Sequence, residues 1–128
     1  MADDAVTIAE GLWARLGAMD WDGARGLMHD EYVQEWPQSG ERIEGPDDAL
    51  AVNQNFPGGL PATRLRRTSA SGDQVVLETE LRYADGSIYQ GVSIMEVRDA
   101  KVVKETDYFA QPFDAPQWRA QWVRRMPT

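Results

Sequence analysis

Glu78, Glu80 and Arg82 alternate along one extended run, "QVVLETELRY". Successive residues of a strand point to opposite faces, so these share one side while Leu77, Thr79 and Leu81 take the other. Such alternation has two readings. It marks a wetted face backed by a core face. Alternatively the acids look onto an apolar cavity, where burial raises a carboxyl pKa into the range useful for proton transfer near neutral pH. Taking Asp85–Gly86 as a two-residue turn pairs Arg82 with Tyr89, Glu80 with Gly91, Glu78 with Ser93 and Val76 with Met95. The acids then share their face with the Tyr89 phenol and the Ser93 hydroxyl. Other side chains suited to a ligand are Trp36, which ends an extended run before Pro37, together with Asn53 and Tyr108.

Other chemistries are excluded or unsupported. The chain has no cysteine and one histidine, His29. Thiolate sites, iron–sulfur clusters and metal sites built on two histidines therefore fall away, and no metal is expected. His29 is expected at the end of a helix, where the dipole favours it. The pieces "GLWARLG" and "FPGGLP" lack phosphate-loop or dinucleotide spacing, so no cofactor is expected. A formal net charge of -8 repels phosphate backbones and anionic membrane surfaces. The basic group Arg64, Arg66 and Arg67 suits the wet face of a strand. No leader pattern or membrane-length apolar run occurs, and with no cysteine a cytoplasmic location is expected.

The elements that must position these residues follow from periodicity. At 128 residues and 42% hydrophobic content the chain is expected to form one domain over 1–128. Val6, Ile8, Leu12, Trp13 and Leu16 repeat at helical spacing, with Asp3 and Asp4 suiting a helix N-terminus. A short helix over "WDGARGLMH" follows, then a strand from about Tyr32 to Trp36 and a returning strand through Arg42 and Ile43. "GPDDALAVNQNF" predicts a third helix with proline at its first position. Four extended runs separated by Gly-Asp, Asp-Gly and Asp-Ala turns come next, and "APQWRAQWVRRM" predicts a short C-terminal helix. The class is α+β, with three helices preceding a mostly antiparallel sheet. Both faces of the long hairpin carry apolar residues, as expected of a sheet covered by helices on one side and by a second copy on the other, so a homodimer through the outer face is expected.

That order, with "MHDEYVQEWPQSGERIEGPDDAL" early and "IMEVRDAKVVKETDYFAQP" late, resembles the nuclear transport factor two-like superfamily, and specifically its SnoaL-like branch. The resemblance covers almost the whole chain. It implies a cone-shaped α+β barrel in which a curved sheet wraps the helices around an apolar pocket. Ketosteroid isomerases, polyketide cyclases, limonene-epoxide hydrolases, dehydratases and non-catalytic binding proteins share it, so it implies fold more than function.

The resemblance also implies which face is the pocket. Counting back from "R-D-x-K" puts Ser93 where ketosteroid isomerases hold a hydrogen-bonding acid, which turns Glu78 and Glu80 inward. Glu78 is then the expected proton-transfer group, with Glu80 nearer the mouth. Trp36 stands where those isomerases keep their catalytic aspartate, Ala110 where hydrolases and cyclases carry one, and no tyrosine precedes Tyr32. The Val102 side of the last strand looks inward by resemblance. This makes Tyr108 a catalytic hydrogen-bond donor and leaves Glu105 and Asp107 as surface or interface charges. Trp36 and Tyr89 are expected to hold the substrate, Ser93 to hydrogen-bond it and Asn53 to close the mouth. The expected function is a small cofactor-free enzyme moving a proton on a small apolar or aromatic molecule, by isomerisation, cyclisation, dehydration or epoxide opening. The alternative is a non-catalytic binding protein of the same fold.

Overall fold

Ala5, Ala9 and Leu12 recur at helical spacing and are fully buried, so one narrow stripe anchors helix α1 (Ala2–Gly17) against the sheet. The computed structural model describes residues 2–127. Met1, Thr128 and the expected helix-terminal role of the Asp3 side chain lie outside the described residues. Asp20 caps helix α2 (Trp21–Gly26), its carboxylate accepting from the Gly23 N–H at 3.0 Å. Strand β1 then runs Met28–Trp36 and β2 runs Glu41–Glu44. Pro46 opens helix α3 (Pro46–Gln54), as expected of a residue with no N–H to lose. Strands β3 (Ala62–Ser71), β4 (Gln74–Arg82), β5 (Ile88–Arg98) and β6 (Lys101–Ala110) complete the sheet. The C-terminal helix is a 3-10 helix, Gln117–Trp122, rather than an α-helix.

The strand order is β2-β1-β6-β5-β4-β3. Only β1 and β6 pair in parallel. The sheet curls without closing, β2 and β3 forming its two edges, and the helices fill its concave side. Leu12, Met28, Val75, Leu77, Met95 and Val102 pack there, each buried side chain contributing about 1.5–3 kcal/mol.

Strand β1 begins four positions earlier than Tyr32, so His29 is a strand residue and not a helix terminus. Its Nε2 lies 3.4 Å from the Asp99 carboxylate, and its Nδ1 accepts from the Glu31 N–H.

Two backbone details decide which side chains face the concave side. The first is the β4–β5 turn. Tyr83 N–H donates to Ser87 O, so three residues, Ala84, Asp85 and Gly86, make the turn, with Gly86 at φ 89°. This is the three-residue hairpin in which a left-handed glycine follows a tight turn. The extra residue shifts the register by one: Leu77 pairs with Ser93, Glu78 with Val92, Glu80 with Gln90 and Leu81 with Tyr89. The second is a β-bulge in β6. Val97 pairs with Val102 but Glu96 pairs with Lys104, leaving Val103 as the added residue. Val102 faces inward before the bulge, and Glu105 and Asp107 face inward after it.

Candidate active site

Strand β1 presents Tyr32, Gln34 and Trp36 on one face, and β6 lies beside it in parallel with Gln34 opposite Glu105. On the other flank of β6, β5 places Ser93 opposite Asp107. The acids of β6 are thus bracketed by hydrogen-bonding side chains from both neighbouring strands. Asp107 is 1% exposed. Its Oδ2 accepts from Gln34 Nε2 at 2.5 Å and from the Trp36 indole N–H at 3.1 Å, while Oδ1 accepts from Ser93 Oγ at 2.6 Å. Three donors from two neighbouring strands thus fix the Asp107 carboxyl in place.

Glu105 is buried beside it. Its Oε1 lies 3.0 Å from the Tyr32 hydroxyl, which lies 3.1 Å from Gln34 Oε1. Burial above all, and then the neighbouring Asp107 charge, pushes the Glu105 carboxyl well above the ordinary carboxylate range. A neighbouring acid and a buried setting both favour the protonated form of Glu105. Burial and the same acids push the Tyr32 phenol upward too, so it remains a phenol. Among the described residues, every buried side-chain nitrogen and oxygen has a hydrogen-bond partner.

These acids form one wall of a cavity of about 360 Å³. Trp13 from α1, Asn53 and Phe56 from the α3 end, Leu81 from β4, Tyr83 just beyond it and Phe109 from β6 make much of the remainder. Thr79 and Met95 line it as well. Gly91 lets β5 approach closely, since a Cβ there would meet Thr79 Oγ1 at 2.6 Å.

The structure brings together only part of the expected set. Trp36, Asn53 and Ser93 line the cavity. Asn53 is held by its own helix, donating to Ala49 O at 2.9 Å. Tyr89 is on the inner face, edge-on to Tyr83 at 4.7 Å between ring centres, beyond the cavity wall. The expected inward orientation of Glu78 and Glu80 is corrected: the one-residue register shift turns both to the convex face. There Glu78 pairs with Arg67, and Glu80 lies 3.2 Å from Arg64 and 3.7 Å from Arg66. Tyr108 is corrected for the parallel reason, the bulge at Val103 placing it on the convex face at 46% exposure. Glu105 and Asp107, expected at the surface, are the buried pair. Gln34 and Tyr32 were not anticipated either, although "YVQEW" puts three hydrogen-bonding side chains on one face of a strand that must pack.

A SnoaL-like domain model matches residues 9–105. The chain belongs to the SnoaL-like domain family. The SnoaL-like chain is similar to an NTF-2 like protein of unknown function from Burkholderia xenovorans, at 35% identity and a TM-score of 0.83, over 98% of this chain and 97% of that one. It is similar to a candidate ketosteroid isomerase from Kribbella flavida, at 28% identity and a TM-score of 0.91, over 99% and 93%. An LEH-like epoxide hydrolase from M. tuberculosis shares the fold, at 22% identity and a TM-score of 0.72, over 84% of each chain. No curated protein matches. Isomerase, hydrolase and cyclase structures thus accompany this SnoaL-like fold without fixing one activity.

Proposed function

We propose that the cavity is an active site in which the Glu105–Asp107 pair moves a proton on a small, mostly apolar molecule without a cofactor. One observation carries this reading: a carboxylate 1% exposed stands on the wall of a cavity with mostly apolar lining. Burying a charge costs stability, and where it is paired with a second, protonated acid the outcome is a base and an acid in one site. Asp107 takes a proton from a carbon beside a carbonyl, the electron pair moving onto the oxygen. The proton held by the pair returns to the same or a neighbouring carbon. Gln34, Trp36 and Ser93 fix Asp107 in place, so the base does not reorient during transfer. Isomerisation, cyclisation, dehydration and epoxide opening all use this equipment.

The test is deuterium exchange. Small apolar cyclic ketones in D2O, followed by proton NMR, exchange α-protons faster with protein than in buffer, and Asp107→Asn lowers that rate by about 100-fold or more. Asparagine suits the site: its oxygen receives Gln34 and Trp36 while its NH2 faces the Ser93 hydroxyl, which can accept. A parallel assay for diols from small epoxides covers ring opening.

A second reading, ligand binding without chemistry, is favoured by a different observation. Both Asp107 oxygens are already engaged within the protein. Ketones or epoxides that raise the melting temperature while neither exchanging nor opening decide for binding.

A further inference from the structure

The cavity wall holds two carboxyl groups and, among the described residues, no basic side chain to pair with them. Among the described residues that line it there is no lysine, arginine or histidine, yet Glu105 and Asp107 both do. The cations that pair with acids in this sheet are engaged elsewhere: Arg42 and Lys104 with Glu35, Arg67 with Glu78, Arg64 with Glu80. The three donors that hold Asp107 are all neutral, so none of them supplies a positive charge. Two acidic side chains thus stand on the wall of a largely apolar cavity with no basic side chain beside them among the described residues.

The other walls are rich in rings. Trp13, Trp36, Phe56, Tyr83 and Phe109 line the cavity, and Phe56 stacks on Tyr83 with 6.1 Å between ring centres. Aromatic faces carry negative potential and attract cations, most strongly where water is excluded. Rings alone fit a neutral apolar molecule, and a buried acid alone fits a base. Together they fit a cation with an apolar surface. The net charge of -8 draws such a molecule toward the protein and repels an acid of the same shape.

We propose that the cavity selects a small apolar ammonium ion, a tertiary or quaternary amine with an alkyl or aryl substituent, seated against Asp107 with its substituents on the aromatic walls. This rests on the reading above in that the same cavity holds the ligand, but it requires no proton to move.

The test compares shape-matched probes on the intact protein: benzyltrimethylammonium, a permanent cation, and neopentylbenzene, its neutral carbon counterpart. Binding is read from quenching of tryptophan fluorescence and from the shift of melting temperature. The cation is expected to bind about tenfold or more tightly than the hydrocarbon, with the preference lost in Asp107→Asn. Equal binding, tighter binding of the hydrocarbon, or no cation binding at millimolar concentration overturns the proposal. So does a preference that survives in folded Asp107→Asn. If that variant does not fold, the Trp36 indole N–H decides: its NMR resonance shifts with the cation and not with the hydrocarbon, and the reverse pattern overturns it. Asp107-dependent exchange of neutral ketones alongside absent cation preference removes this inference and leaves the proton-transfer reading standing. Cation preference without exchange does the opposite.

Discussion

Trp36 donates its indole N–H to Asp107 across 3.1 Å, joining the end of β1 to the inner face of β6. The ring is both a wall of the cavity and a fixed donor to the acid within it. A bond to a carboxylate contributes more than a neutral one, so Trp36→Phe, which keeps an apolar wall and removes the donor, is expected to lower stability by about 1.5–3 kcal/mol in urea titration. It also leaves Asp107 less firmly placed, and ketone exchange falls with it. Unchanged stability in Trp36→Phe contradicts the bond.

Glu105 makes stability depend on pH. Its folded pKa lies above the ordinary 4.5, so the folded protein holds a proton that the unfolded chain releases. The stabilisation this gives is complete below about 4.5 and is lost as pH rises toward the folded value. Glu105→Gln mimics the protonated acid and does not titrate. It is expected to match the parent protein at pH 4 and to exceed it increasingly above pH 5. A gap that is constant with pH speaks against a protonated Glu105.

The acids of β4 are expected to behave as ordinary surface charges. Glu78 and Glu80 pair with arginines of β3 on the convex face, where such pairs contribute about 0–1 kcal/mol. Glu78→Gln and Glu80→Gln should therefore change the unfolding free energy by less than about 1 kcal/mol and leave both ketone exchange and ligand binding intact. Loss of either property in these variants would return the site to the other face.

Gly91 is required by close packing rather than by its backbone angle. A methyl there collides with Thr79 Oγ1 at 2.6 Å inside the curved sheet. Gly91→Ala is expected to cost about 1–3 kcal/mol in chemical denaturation, and adding Thr79→Ala to recover part of it.

The elements were legible because their signals are local. Pro46 and two aspartates announce α3, "SGDQ" and "RDAK" announce two-residue turns, and the apolar stripe of α1 has a plain helical period. The faces were not legible, because parity has to be carried across turns. Counting outward from Asp85–Gly86 misses one residue, since Gly86 closes a three-residue turn, and every side chain of the hairpin partner then lands on the wrong side. In β6 the alternation runs correctly up to Val102 and is reversed by Val103. The doublet "VV" ahead of two alternating acids was the visible hint of a bulge. Nothing in the identities of Glu105 and Asp107 separates buried acids from wetted ones. Their partners on β1, far away in the chain, do that.

The added residue at Val103 gives this strand something like a reading frame. Were the strand to run through Val103 without the bulge, Glu105 and Asp107 would swing outward and Thr106 and Tyr108 inward without altering a single side chain they carry. Whether the strand absorbs that residue as a bulge or runs straight through it therefore decides between an acidic hollow and one lined by hydroxyls, while the other walls stay the same.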